Sequence, residues 1–266
     1  MNQTAENTTS HKVLYLLNIV ALAAVLYLNY LANALPLNGR TPGELSDLYP
    51  NLFVPAGLTF SIWGIIYLWI LIWAGMQGIA LLTGKQAPGV AKAGWWFIAT
   101  CVLNIGWLFA WHWEQLLLSV GVMIALLYCL VRLNQAIGNG VSADSQWEKW
   151  TAHLVFGLYQ GWITVALIAN VTTLLVGSGW KGGMLSESDW AIIMVEVGAA
   201  LAVFMVWRFN HLFHGVAVIW ALYGIYLKRM AEGDGSDSTY VAWAAIAGMA
   251  LVAGFVVLNV RKWWRY

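Results

Sequence analysis

Phe60, Trp63 and Tyr67 follow Pro55 at a spacing of i, i+3 and i+7, so on a helix opened by that proline all three side chains leave from one face. Asn104, Trp107 and Trp111 repeat the same spacing further on. Trp162, Ala166 and Asn170 fall at i, i+4 and i+8, with Tyr159 about one turn earlier. Three aromatic stripes, two of them carrying an amide, would line a pocket that is apolar and marked by a few polar contacts. That chemistry suits the holding of a flat hydrophobic ligand. Each stripe alone reads equally well as packing between helices, and either asparagine alone as an interhelical hydrogen bond.

Other residues invite separate chemistry. Glu196 lies near the middle of an apolar run, where an ionisable group is expensive and raises the expectation of proton coupling; its plain reading is a carboxylic acid bonded to a neighbour. His211 and His214, at i and i+3, read as haem or metal ligands or as interfacial hydrogen-bonders, with His153 a further lone histidine. No carboxylate stands near them in sequence to complete a metal site, and no metal is expected. Cys101 and Cys129 both lie inside apolar runs, where small apolar filler is the default. Trp220, Tyr223 and Tyr226 faintly echo the aromatic face around Trp63.

The elements that must position these residues follow from composition. Hydrophobic residues make up 61% of the 266 and charged residues only 9%, against about 25% charged in a soluble domain. An all-α integral membrane protein is expected. Spanning the hydrocarbon takes about 20 residues, and eight runs qualify: roughly 13–35, 55–82, 94–112, 115–137, 151–177, 190–206, 211–228 and 239–260. A polar tail (1–12) precedes the first run and lacks the basic start of a signal peptide. A turn-rich loop from Leu37 to Phe53 follows it, either plain connection or lid. The apolar-poor stretch 178–189 reads as a join between five helices and three, and a basic aromatic tail (261–266) closes the chain. Nine Lys and Arg flank the runs on the N-terminal side and four on the other. Both termini are therefore expected in the cytoplasm, fitting a bacterial cytoplasmic membrane. A net charge of +1 offers nothing to nucleic acid.

The set Pro55…Phe60…Trp63…Tyr67, Asn104-x-x-Trp107 and Trp162-x-x-x-Ala166-x-x-x-Asn170 resembles the tryptophan-rich sensory protein (translocator protein, TspO/MBR) family over residues 13–177. That family usually has a second proline where Ala56 stands and a proline where Leu158 stands. Its five helices leave those after 177 without a counterpart. The resemblance implies a five-helix bundle with three further helices, and a cavity for a porphyrin, sterol or drug-like ligand between Trp63 and Trp162, roofed by the loop after the first helix. Asn104 and Trp107 would lie nearby. Three functions follow in order. The first is a binding or sensory protein for a tetrapyrrole-like ligand, requiring no cofactor, surrounded by lipid, with homodimerisation open. The second is a proton-coupled transporter using Glu196. An enzyme comes last, since no nucleophile–base pair stands out.

Overall fold

The computed structural model describes residues 2–84, 90–138, 149–232 and 235–265. Met1, Lys85 and Tyr266, which enter the tails and the charge count above, lie outside them. Eight long helices run through the described residues, and no strand does: α1 (Asn2–Ala34), α2 (Ile62–Thr83), α3 (Trp96–His112), α4 (Leu116–Ala136), α5 (Leu154–Gly177), α6 (Glu187–Phe209), α7 (Leu212–Ala231) and α8 (Ser236–Arg265). Six of them are long and apolar enough to cross a membrane, not the eight expected. The other two are α3, whose 17 residues rise only about 25 Å, and α7, which carries His214, Lys228 and Arg229.

The first five helices close into a ring in the order α1, α2, α5, α4, α3, each packed on the next and α3 on α1. α5 is its keystone: 72% of its most apolar stretch is buried, against 28–39% in the other five candidate spans. The reason lies outside the ring. α7 packs on α5 from without and on α6 and α8 beyond it, so α5 is covered on both sides. Two glycines let α7 in. A Cβ on Gly161 would stand 2.5 Å from the His214 carbonyl oxygen, and one on Gly157 3.0 Å from Phe213 Cβ. Glycine here permits backbone contact that no larger residue would allow.

Short connections hold the helices antiparallel. Glu114 takes a positive φ of 53° in the α3–α4 turn, and Asn210 one of 56° between α6 and α7; asparagine tolerates that left-handed region well. Ser186 starts α6 with a capping box, its hydroxyl accepting from the Asp189 N–H while the Asp189 carboxylate accepts from the Ser186 N–H.

Four boundaries differ from the sequence reading. α1 reaches back to Asn2, α8 continues through the basic tail to Arg265, and the join between α5 and α6 is shorter, since the cap brings α6 in at Glu187. The fourth matters for the site. Pro55 does not open α2: Val54–Ala56 is not helical, Gly57–Ser61 forms a 3₁₀ turn, and α2 begins at Ile62. The backbone is diverted because α7 claims its polar groups. Ala56 N–H donates to the Gly224 carbonyl at 2.9 Å, and the Trp220 indole N–H to the Thr59 carbonyl at 2.8 Å.

Candidate functional site: an aromatic cavity beneath a capped loop

Within the ring lies a cavity of about 70 Å³. Trp63 comes from α2, Phe60 from the 3₁₀ turn before it, Asn104 and Trp107 from α3, and Trp162, Ala166 and Asn170 from α5; all border this one space. Tyr67 and Tyr159, the other two candidates, stand just behind the wall. Tyr67 stacks on Trp63 with ring centres 5.2 Å apart, and Tyr159 meets the same indole edge-on at 5.4 Å. Trp162 closes the set, 6.4 Å from Trp63 and 5.7 Å from Phe60, both edge-to-face. Such geometries set the positive ring edge against the negative ring face, each contributing about 0.5–1.5 kcal/mol beyond burial. Phe60 reaches Trp162 although it stands on a 3₁₀ turn and not on the helical face its spacing suggested.

The amides are tied into the bundle. Asn104 donates to the Tyr159 hydroxyl at 3.1 Å and accepts from Asn29 of α1 at 3.0 Å. Asn170 accepts from Ser119 of α4 at 2.9 Å. Both therefore bond between helices and face the cavity at once, so neither of the two readings of these residues excludes the other. The indole N–H of Trp107 is buried with no hydrogen-bond partner among the described residues, which leaves one donor in the wall unspent. Trp111 stacks on Trp107 at 5.7 Å.

Residues outside the aromatic stripes complete the lining. Met123 and Leu126 of α4, and Pro42 and Ser46 of the loop after α1, also border the cavity. Nothing distinguishes such a methionine or leucine from core in an apolar chain. The loop carries a local signature of its own: Thr41-Pro-Gly-Glu44 is a capping box with proline at the first helical position. It folds Pro42–Asp47 into a short helix, with Thr41 N–H donating to Glu44 Oε2 at 2.7 Å. Those bonds hold the Glu44 carboxyl below its ordinary range, the backbone donor first and the hydroxyl second.

This helix is the roof. The Trp111 indole N–H donates to the Pro42 carbonyl at 3.2 Å, and Asn38 to the His112 carbonyl at 2.9 Å. Glu114, in the α3–α4 turn, meets Arg40 at 3.3 Å and accepts from the Tyr49 hydroxyl at 2.8 Å. Burial, and then that carboxylate, push the Tyr49 hydroxyl above its usual range. From the other side Lys228 of α7 reaches Asp47 at 3.4 Å.

Other expected residues lie elsewhere. His153, His211 and His214 are buried at the opposite end of the bundle, around the α6–α7 turn, and do not touch the cavity. Among the described residues no group of three or more His, Cys, Asp or Glu could hold a metal. Glu196 is exposed on the outer face of α6 and is no part of the aromatic wall.

A polytopic helical bundle with a roofed aromatic cavity inside its first five helices defines an integral membrane protein of the ligand-cavity kind. The chain belongs to the TSPO-like protein family, whose model matches residues 15–258. That match runs through α6, α7 and most of α8. The three helices without counterpart in the five-helix pattern are thus part of the family match. Comparison with curated proteins and with solved structures gave no match.

Proposed function

We propose that this protein is a membrane-embedded binding or sensory protein for a flat hydrophobic ligand of porphyrin type, taken into the cavity between Trp63 and Trp162. The observation that carries the reading is the convergence of aromatic stripes from α2, α3 and α5 on one roofed cavity that also holds an unpartnered indole donor. Drug-sized ligands fill pockets of about 300–1,000 Å³, several times the 70 Å³ found here. In this reading a ligand enters by parting the ring stack and lifting the roof. Rings meeting edge to face can turn to lie along a planar guest without loss of contact area. Sterol-like or lipid ligands of similar flatness fit the same wall. No resident cofactor is needed for such a role.

All eight helices cross the membrane in this reading, and both termini face the cytoplasm, because Lys and Arg concentrate on their side. A bacterial cytoplasmic membrane suits that orientation. Proton-coupled transport loses its main support, since Glu196 stands outside the cavity.

The test is a titration of purified protein with protoporphyrin IX followed by tryptophan quenching, for wild type and for the Trp63→Ala, Trp162→Ala double variant. Because porphyrin partitions into detergent, the variant is the necessary control. Saturable binding lost in the variant supports the reading. Superimposable curves overturn it and leave the stripes as packing.

A further inference from the structure

Glu196 is the residue the fold leaves unexplained. It is the tenth of 23 residues in α6, about 14 Å along the helix at 1.5 Å per residue, and so near the middle of a hydrocarbon layer about 30 Å thick. α6 buries Val195, Gly198, Ala199 and Ala202 on its inner side. Glu196 leaves from the opposite face together with Val197, Ala200, Leu201 and Phe204, all exposed. Its carboxyl group has no hydrogen-bond or ion-pair partner among the described residues. Ionisable side chains within membrane helices almost always face a bundle interior or a watery cavity, because hydrocarbon offers them nothing. This one faces outward.

We infer that the outer face of α6 is an interface between two copies of this chain, with the two Glu196 side chains meeting at a two-fold axis. The geometry follows from membrane insertion. Copies inserted in the same direction are related by an axis along the membrane normal, so each residue meets its own counterpart at equal depth. A second copy therefore satisfies Glu196 only if the group can bond to itself. A carboxyl group can: as an acid it carries both a donor and an acceptor, and two of them close a pair of hydrogen bonds. Ala200, one turn on, is small enough for two α6 helices to approach, and Phe204 flanks the contact with apolar area. The opposite face of α6 is already taken by α7 and α8, and the cavity lies beyond α5. The interface thus leaves the ligand site untouched.

The experiment is energy transfer between two labelled populations of the full chain in lipid vesicles, over a range of protein-to-lipid ratios. Wild type should associate saturably. Glu196→Gln, which keeps a donor and an acceptor, should associate within a few-fold of it. Glu196→Ala should weaken association on the order of tenfold, the size of an interhelical hydrogen bond in a membrane. Glu196→Cys should form a disulfide-linked dimer on mild oxidation, whereas wild-type Cys101 and Cys129, both buried, should not. A wild type that stays monomeric at every ratio overturns the inference. So does association unchanged in Glu196→Ala, or a Glu196→Cys chain that will not cross-link. Recruitment of a different protein offering a cation at this depth, with no self-association, overturns it too.

Discussion

Gly161 brings the backbones of α5 and α7 into contact, and it yields the sharpest stability prediction. In Gly161→Ala the added Cβ would sit 2.5 Å from the His214 carbonyl oxygen and 2.9 Å from both His214 Cα and Ala217 Cβ. Ordinary contact begins near 3.4 Å, so α7 must retreat by about 0.9 Å, the difference of 3.4 and 2.5. The obstructing atoms include backbone, which no rotamer change moves, so the helix must shift as a unit. Overpacking of this kind costs about 1–3 kcal/mol, while glycine to alanine inside a helix returns about 1 kcal/mol. The net is a loss of up to about 2 kcal/mol. Gly121 of α4 supplies the control: a Cβ there meets nothing within 4 Å, so Gly121→Ala should be neutral or stabilising by up to about 1 kcal/mol. The assay is thermal unfolding of both variants in the same detergent. The expected order of melting temperature is Gly121→Ala at or above wild type, with Gly161→Ala several degrees below Gly121→Ala. Equal melting temperatures for the two variants would refute the contact as drawn.

Trp220→Phe removes the hydrogen bond to the Thr59 carbonyl while keeping an aromatic ring. It should cost about 1–3 kcal/mol through the carbonyl left unpaired, and should weaken porphyrin binding in the quenching titration, because Phe60 of the cavity wall is the next residue. Glu114→Ala releases both Arg40 and Tyr49 from the roof. The loss in global stability should be below about 1 kcal/mol, as for exposed pairs, but ligand association should quicken in stopped-flow mixing. The roof also has an acid limit. Because the Glu44 carboxyl titrates below its ordinary range, its bonds to Thr41 stabilise the roof helix above that range and are lost as pH falls through the depressed value. Amide exchange at Glu44 and Leu45 should therefore speed up, relative to neighbouring amides, only in acid, and the Glu44→Gln variant should lack that step.

The spacing of aromatic residues makes much of the cavity legible in the sequence. Trp63, Trp107 and Trp162 stand on three different helices, and each was legible because periodicity fixes a face. Which faces converge was not, since packing of helices across the ring depends on contacts over long sequence separations. Phe60 shows the difference: its spacing suggested a shared α-helical face with Trp63, and a 3₁₀ turn held by α7 delivers it to Trp162 instead. Met123 and Leu126 stayed hidden because lining and core are chemically the same residue types in an apolar chain. Glu196 was legible as an anomaly but not in direction, because the apolar residues around it are spread over both faces of α6.

The two flanks of the cavity are held by bonds of unequal kind, and that decides which one yields to a ligand. On the α7 side a backbone hydrogen bond from Ala56 to Gly224 and the indole bond from Trp220 to Thr59 fix the segment Pro55–Phe60, with Thr59 itself almost wholly buried. On the roof side the ties are mostly exposed or half-exposed side-chain contacts, among them Arg40 to Glu114 and Lys228 to Asp47. Exposed pairs contribute about 0–1 kcal/mol each and weaken with salt, whereas breaking the buried set leaves polar groups stranded at about 1–3 kcal/mol apiece. If the cavity takes the proposed ligand, opening should therefore proceed through the roof, with the three C-terminal helices as the fixed jaw against which it moves. Since a closed cavity lowers apparent affinity by the fraction of molecules that stand open, weakening the roof tightens ligand binding. Weakening the jaw deforms the wall the ligand must lie against, and so loosens it.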